Sequence, residues 1–177
     1  MAEIRTLKGD CQIQRELEDL VTDLKSTLIT KRLKAVKSLG KLKTPLAVDP
    51  LKDVLADRSK EVRCAAIEAL AAIGPANLVE LMIPLSRDRS ADVRLRVAYA
   101  LTGRDTEEAV RCLLDLMRDL KDSVAVMAAK CLARSPRAAL AILIRQFGDK
   151  NWKIRSRSAM AVSRMGRAAT DALKASL

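Results

Sequence analysis

The chain has 177 residues, and 33 lysines and arginines against 22 acidic residues give it a net charge of +11. Hydrophobic residues make up 49% of the chain but aromatics only 2%, and glycine and proline are scarce, which favours an all-α protein of closely packed helices. Histidine is absent and the four cysteines form no Cys-x-x-Cys pair, so we expect no metal or cofactor. No apolar run resembles a signal peptide or a membrane span, and we expect a reducing, cytoplasmic environment.

Apolar residues at helical spacing predict a leader over residues 1–10 and then a series of helix pairs. The predicted pairs are 11–26 with 30–42, 46–56 with 59–73, 77–87 with 91–102, 106–118 with 121–133, and 136–147 with 151–165. Gly74 and Pro75 form a helix stop signal, and Pro84 is expected to disturb the helix around it.

One motif recurs through these pairs. It begins with an acidic residue, followed by an aliphatic residue five positions later and an arginine six positions later, as in the sequence that starts at Asp57. The acidic residue falls at Asp57, Asp88, Asp119 and Asp149, at intervals of 31, 31 and 30 residues. A constant period of this size indicates stacked units, because one helix pair cannot bury its apolar face alone. The predicted repeats form a single domain over 11–177, at 11–43, 44–74, 75–104, 105–135 and 136–166, with a partial or capping helix at 167–177.

The sequence D-R-S-K-E-V-R-C-A-A-I-E-A-L-A-A-I-G resembles a HEAT repeat, in the short form called the phycobilisome-lyase HEAT-like repeat. Repeats two, three and five match well, whereas repeat four has Ala125 in place of the arginine and repeat one has Ser26 in place of the aspartate. The resemblance implies an all-α fold, an α-solenoid with first helices on its convex side and second helices lining its concave side. Such a fold says little about function.

The aspartate and the arginine six residues later predict a structural ladder along the stack. The aspartate can cap the second helix of its pair, and the arginine can reach its own aspartate and that of the adjacent repeat. An anion site is the alternative interpretation. The predicted ladder consists of Asp57, Arg63, Asp88, Arg94, Asp149 and Arg155.

Another set of positions, spaced i, i+3 and i+7 on each second helix, falls on one stripe that is rich in basic residues. The basic members, which we call the basic stripe, are Lys34, Lys37, Lys41, Arg96, Lys130, Arg134, Arg157 and Arg164. If the second helices line the concave side, as the resemblance implies, the groove is positively charged. A solvated helix face in a protein that is basic throughout is the alternative.

We therefore predict a non-enzymatic protein-interaction scaffold that binds an acidic protein segment in a basic groove. Binding to the phosphate backbone of nucleic acid is the alternative, because the same charges suit it. Enzymes occur among related proteins, but no catalytic carboxylate set is recognisable. An iron-dependent hydroxylase needs His–Glu ligands that this chain lacks, and a bilin lyase stays open without residue evidence. The sequence predicts neither the partner's identity nor the oligomeric state.

Overall fold

The computed structural model of the protein describes residues 14–167 and 169–170, and every regular element within them is helical. The elements are α1 (residues 14–24), α2 (Ile29–Leu42), α3 (Val48–Val54), α4 (Lys60–Ile73), α5 (Leu78–Leu85), α6 (Ala91–Ala100), α7 (Glu107–Leu116), α8 (Asp122–Leu132), α9 (Pro136–Arg145) and α10 (Trp152–Met165), with 3₁₀ turns at Pro45–Ala47 and Gln146–Gly148. The predicted leader lies outside the described residues, as does most of the predicted capping helix. The predicted all-α class is confirmed.

Local sequence explains where the helices begin and end. The hydroxyl of Ser59 accepts a hydrogen bond from the backbone N–H of Val62 at the start of α4, and Thr106 does the same for Ala109 in α7. Gly74 ends α4 in the left-handed conformation, at a φ of 72°, where a side chain would be strained. The predicted first helix of the second pair begins late, because Pro45 opens a 3₁₀ turn ahead of α3.

The chain divides into two compact units, residues 1–78 and 79–177. In the first unit, α2 packs against α4, and α3 packs beside α4. The aliphatic residues Val36 and Leu39 of α2 and Val62 and Leu70 of α4 are fully buried. The second helices of two successive pairs therefore share one core.

In the second unit, α8 lies against both α6 and α10, while α7 packs on α8 and α9, and α9 packs on α10. Second helices contact second helices and first helices contact first helices, as in stacked hairpins. The aliphatic residues that repeat with the period of the motif lie in this core. They are Val93, Leu101, Val124, Leu132 and Ile154.

Candidate interaction surface

The repeated aspartate has the same local role in four turns. Oδ1 of Asp57 accepts a hydrogen bond from the backbone N–H of Ser59, at 2.8 Å. The same 2.8 Å contact joins Asp88 to Ser90, Asp119 to Lys121 and Asp149 to Asn151. The prediction that the aspartate itself caps the second helix is wrong, because it orders the turn while the residue two positions later occupies the N-cap.

In the first unit, the carboxylate of Asp57 is held by an arginine of the preceding repeat. Nε and Nη2 of Arg32 donate to its two oxygens at 2.7 and 3.0 Å, in the bidentate geometry that strengthens such pairs. Arg63, which follows Asp57 by six residues, donates from Nη1 to the backbone carbonyl of Asp57 at 2.8 Å. The predicted ladder does not include Arg32, although Arg32 precedes Arg63 by one repeat period of 31 residues.

The second unit repeats this arrangement once. Nε and Nη2 of Arg94 donate to the carboxylate of Asp119, and Nη1 donates to the backbone carbonyl of Asp88 at 2.7 Å. Asp119 was missing from the predicted ladder, because its own repeat carries Ala125 where the arginine is expected. The guanidinium therefore joins its own turn to the next turn along the chain.

The next step of the ladder uses a different arginine. Ala125 is fully buried and offers no donor to Asp149, and Nη2 of Arg118 reaches the Asp149 carboxylate instead, at 2.7 Å. Arg155 donates from Nη1 to the backbone carbonyl of Asp149 at 2.9 Å. The motif does not predict the contact between Arg118 and Asp149, because Arg118 lies outside the motif.

These contacts shift the acidity of the aspartates. Partial burial raises the pKa of Asp57 and Asp119, but hydrogen bonds from Arg32 and Arg94 and from the turn amides outweigh it, so both pKa values lie below the usual range. For Asp149, the Asn151 amide and then Arg118 lower the pKa. All three carboxylates are therefore charged at neutral pH.

The basic stripe begins in the first unit, on α2. Lys34, Lys37 and Lys41 are all exposed on one face of this helix. Within the part of the chain that the structure describes, none of the three ammonium groups forms an ion pair. Three unneutralised charges thus project from this face.

In the second unit, the basic stripe lies on helices that pack side by side. Arg96 on α6, Lys130 on α8 and Arg164 on α10 are exposed, as is Arg134 just after α8. Arg157 is an exception to the predicted exposure of the stripe. Its side chain is buried, donating to the carbonyl of Met117 at 2.8 Å and to Asp122 at 2.6 Å.

The described residues form neither a metal site nor a membrane span. No group of three or more His, Cys, Asp or Glu residues there is arranged to hold a metal ion. None of the described helices is both long enough and apolar enough to cross a membrane.

Two family models match this sequence. The model described as HEAT repeats matches residues 48–129, and the model described as PBS lyase HEAT-like repeat matches residues 31–57. Together they span more than half of the chain. The protein belongs to the HEAT-repeat family. The family predicted from the motif is therefore confirmed, and the two matched ranges include the Arg32–Asp57 and Arg94–Asp119 pairs.

Several solved structures are similar to this HEAT-repeat protein. The complex of CpcE and CpcF of phycocyanin lyase from Nostoc sp. PCC7120 has a TM-score of 0.65 at 19% identity, covering 85% of this chain and 65% of that chain. The Escherichia coli protein YibA has a TM-score of 0.63 at 20% identity, covering 92% and 63%. A designed armadillo repeat protein in complex with the peptide (KR)4 has a TM-score of 0.57 at 18% identity, covering 89% and 90%.

At these identities the similarity shows the fold alone, and it confirms the predicted α-solenoid class. A comparison with curated protein sequences gave no significant match.

Proposed function

We propose that this HEAT-repeat protein is a non-enzymatic interaction scaffold that binds an acidic protein segment through the basic stripe. The observation that carries the proposal is the exposure of seven of the eight stripe residues, three of them on α2 in the first unit and four on or directly after α6, α8 and α10 in the second. Helix faces that repeat along a stack suit an extended ligand, since each repeat adds one set of contacts. We also place the protein in the cytoplasm, in keeping with its cysteine usage.

The contrast between two groups of cations supports this choice of surface. Arg32, Arg94 and Arg118 are neutralised by aspartates and hold turns together. In contrast, no acidic partner among the described residues neutralises Lys34, Lys37 or Lys41, and all three are exposed to solvent. A cluster of like charges gains most when an acidic ligand neutralises it.

The similar structures support a peptide as the ligand. Designed armadillo proteins among them were made for modular peptide recognition, and one is described in complex with the basic peptide (KR)4. A basic peptide needs an acidic binding surface, whereas the present chain has a net charge of +11. We therefore propose an acidic segment as its partner, recognised by the same kind of repeat fold.

Nucleic acid is the second candidate, favoured by the net charge of +11 and the lysine face of α2. Phosphate neutralisation makes the affinity fall steeply with salt, with a slope of about −0.9 per phosphate contact on duplex DNA. Among the described residues at the i, i+3 and i+7 positions that define the stripe, Tyr99 is the one aromatic residue, so base stacking would contribute little. For this reason we favour the acidic protein segment.

The test compares a labelled Glu-rich peptide with a labelled DNA duplex by fluorescence anisotropy at two salt concentrations. We expect the peptide to bind and the variant Lys130→Glu, Arg134→Glu, Arg164→Glu to weaken binding about tenfold or more, because it reverses three charges of the stripe in one unit. The variant Lys34→Glu, Lys37→Glu, Lys41→Glu tests the first unit in the same way.

The matched control is Arg111→Glu, Arg137→Glu, Arg145→Glu. It changes the net charge equally, but its exposed residues lie on the first helices α7 and α9. Equal losses in control and stripe variants would mean that net charge, not the stripe, drives binding. Tight, salt-sensitive binding of the duplex without binding of the peptide would favour nucleic acid as the partner.

A further inference from the structure

A small cavity opens on the surface between α8 and α10. Its volume is about 220 Å³, and its mostly apolar lining includes Val126 of α8 and Trp152 and Met160 of α10. The Trp152 side chain is 64% exposed, a large apolar area for a single residue to leave in water. Ligand clefts for drug-sized molecules are about 300–1,000 Å³. This cavity is smaller and suits one side chain.

The charged residues at the cavity determine the sign of its field. Asp122 is the one carboxylate among the described residues of the lining, and it accepts hydrogen bonds from Arg157 at 2.6 Å and from Lys153 at 3.3 Å. Two cations therefore surround one anion, and the lining carries a net positive charge. This disfavours a cationic ligand, although an exposed tryptophan beside a carboxylate would otherwise suit one.

The cavity lies beside two residues of the basic stripe. Lys130 follows Val126 by four residues on α8, and Arg164 follows Met160 by four residues on α10. Residues spaced i and i+4 lie about 5–6 Å apart on the same helix face. An exposed cation thus lies one turn beyond each of these two lining residues, on the same side of the cavity.

We propose that this cavity, which we call the anchor pocket, receives one large apolar side chain of the acidic segment that binds the basic stripe. The proposal rests on the proposed function and narrows its partner to an acidic sequence with an apolar anchor. The anchor side chain packs between Trp152, Met160 and Val126. The flanking carboxylates of the segment pair with Lys130 and Arg164.

The experiment uses two labelled Glu-rich peptides that are identical except for one central residue, Leu in one and Ser in the other. We expect the Leu peptide to bind about tenfold more tightly, a difference of ~1.4 kcal/mol, since it buries apolar area that the Ser peptide lacks. Trp152 is the only tryptophan of the chain, so its emission reports on the pocket directly. We expect the Leu peptide, and not the Ser peptide, to move this emission to shorter wavelength.

Two variants test whether the preference for the Leu peptide arises in the anchor pocket. Trp152→Ala removes a wall, and Ser156→Phe fills the cavity from an exposed position of α10. Both should reduce the affinity for the Leu peptide to that for the Ser peptide, with melting curves confirming that each variant is folded. The control is Leu120→Ala, which removes a 98% exposed apolar side chain from the preceding turn. It should leave the preference for Leu unchanged.

The outcomes separate the two proposals. If neither peptide binds, the proposed function is wrong and the anchor pocket has no acidic segment to hold. If both peptides bind equally, the basic stripe stands as the binding surface and the anchor pocket is wrong. A preference for Leu that survives both Trp152→Ala and Ser156→Phe would likewise overturn the anchor pocket.

Discussion

Arg94 connects two neighbouring turns through one side chain. Two of its nitrogens donate to the carboxylate of Asp119 and a third donates to the backbone carbonyl of Asp88. The planar guanidinium fork makes this double contact, which a lysine ammonium could not reproduce. The pair is well shielded from water, with side-chain exposures of 17% and 7%. Arg32 occupies the equivalent position in the first unit and binds Asp57 in the same way.

We expect Arg94→Ala to lower the free energy of unfolding by about 2–3 kcal/mol, because it leaves a shielded carboxylate without its cation. Urea denaturation at neutral pH measures this change. The comparison variant is Arg111→Ala, which breaks an exposed pair with Glu107 on α7 and should cost at most about 0.5 kcal/mol. Equal losses in the two variants would show that the Arg94 pair is no stronger than a surface pair.

At the scale of the helix, close packing in the first unit depends on small residues. A Cβ added to Gly40 of α2 would lie 2.8 Å from the Cβ of Ala69 and 3.0 Å from its Cα, so this part of α2 lies almost against the backbone of α4. Ala69, which meets Gly40, is buried, and so are its α4 neighbours Ala65 and Ala66. Thin second helices explain how the chain builds a core with so few aromatic residues.

Gly40→Ala should therefore destabilise the first unit. Alanine favours a helix over glycine by about 1 kcal/mol, but the overlap with α4 should cost about 1–3 kcal/mol, giving a net loss of up to about 2 kcal/mol. Thermal and urea denaturation give the sign directly. Gly148→Ala is the matched change, because no atom lies within 4 Å of its added Cβ, and it should leave stability unchanged or slightly higher. A Gly40→Ala variant as stable as Gly148→Ala would contradict the close approach.

For the whole molecule, the aspartates of the turns link folding to pH. The pKa values of Asp57, Asp119 and Asp149 are lower in the folded chain than their ordinary values. The folded state therefore binds fewer protons than the unfolded state in acid. Their contribution to stability is complete above the ordinary aspartate pKa of about 3.9 and is lost as the pH falls through the lowered folded values.

We expect the free energy of unfolding to stay level towards neutral pH from about pH 5 and to fall below about pH 4. Chemical denaturation at a series of pH values measures this profile. Asp119→Asn should be less stable than the natural chain at neutral pH, and the difference should shrink in acid, where both side chains are uncharged. A difference that stays constant over the whole range would mean that Asp119 does not titrate with folding.

Apolar spacing and the repeat period together predicted most of the fold. Apolar spacing predicted the ten described helices to within a few residues, and the repeat period placed Leu39, Leu70, Leu101 and Leu132 at equivalent positions that are all fully buried. Neither could predict the fate of individual cations. Arg157 and Lys130 both belong to the basic stripe by spacing, yet Arg157 is buried because Asp122 and the Met117 carbonyl lie within its reach, whereas Lys130 remains exposed.

Helix type, helix length, the buried face and the family were determined by the sequence itself, since they depend on spacing along one chain and on local caps. Only the tertiary structure decided which arginine binds which aspartate, where the anchor pocket opens and which stripe residues remain exposed. Those features join residues 25 to 40 positions apart, as the Arg32 guanidinium with the Asp57 carboxylate and the Arg157 guanidinium with the backbone carbonyl of Met117. They depend on how neighbouring helices pack against each other in three dimensions, and the repeat period of the sequence does not specify that packing.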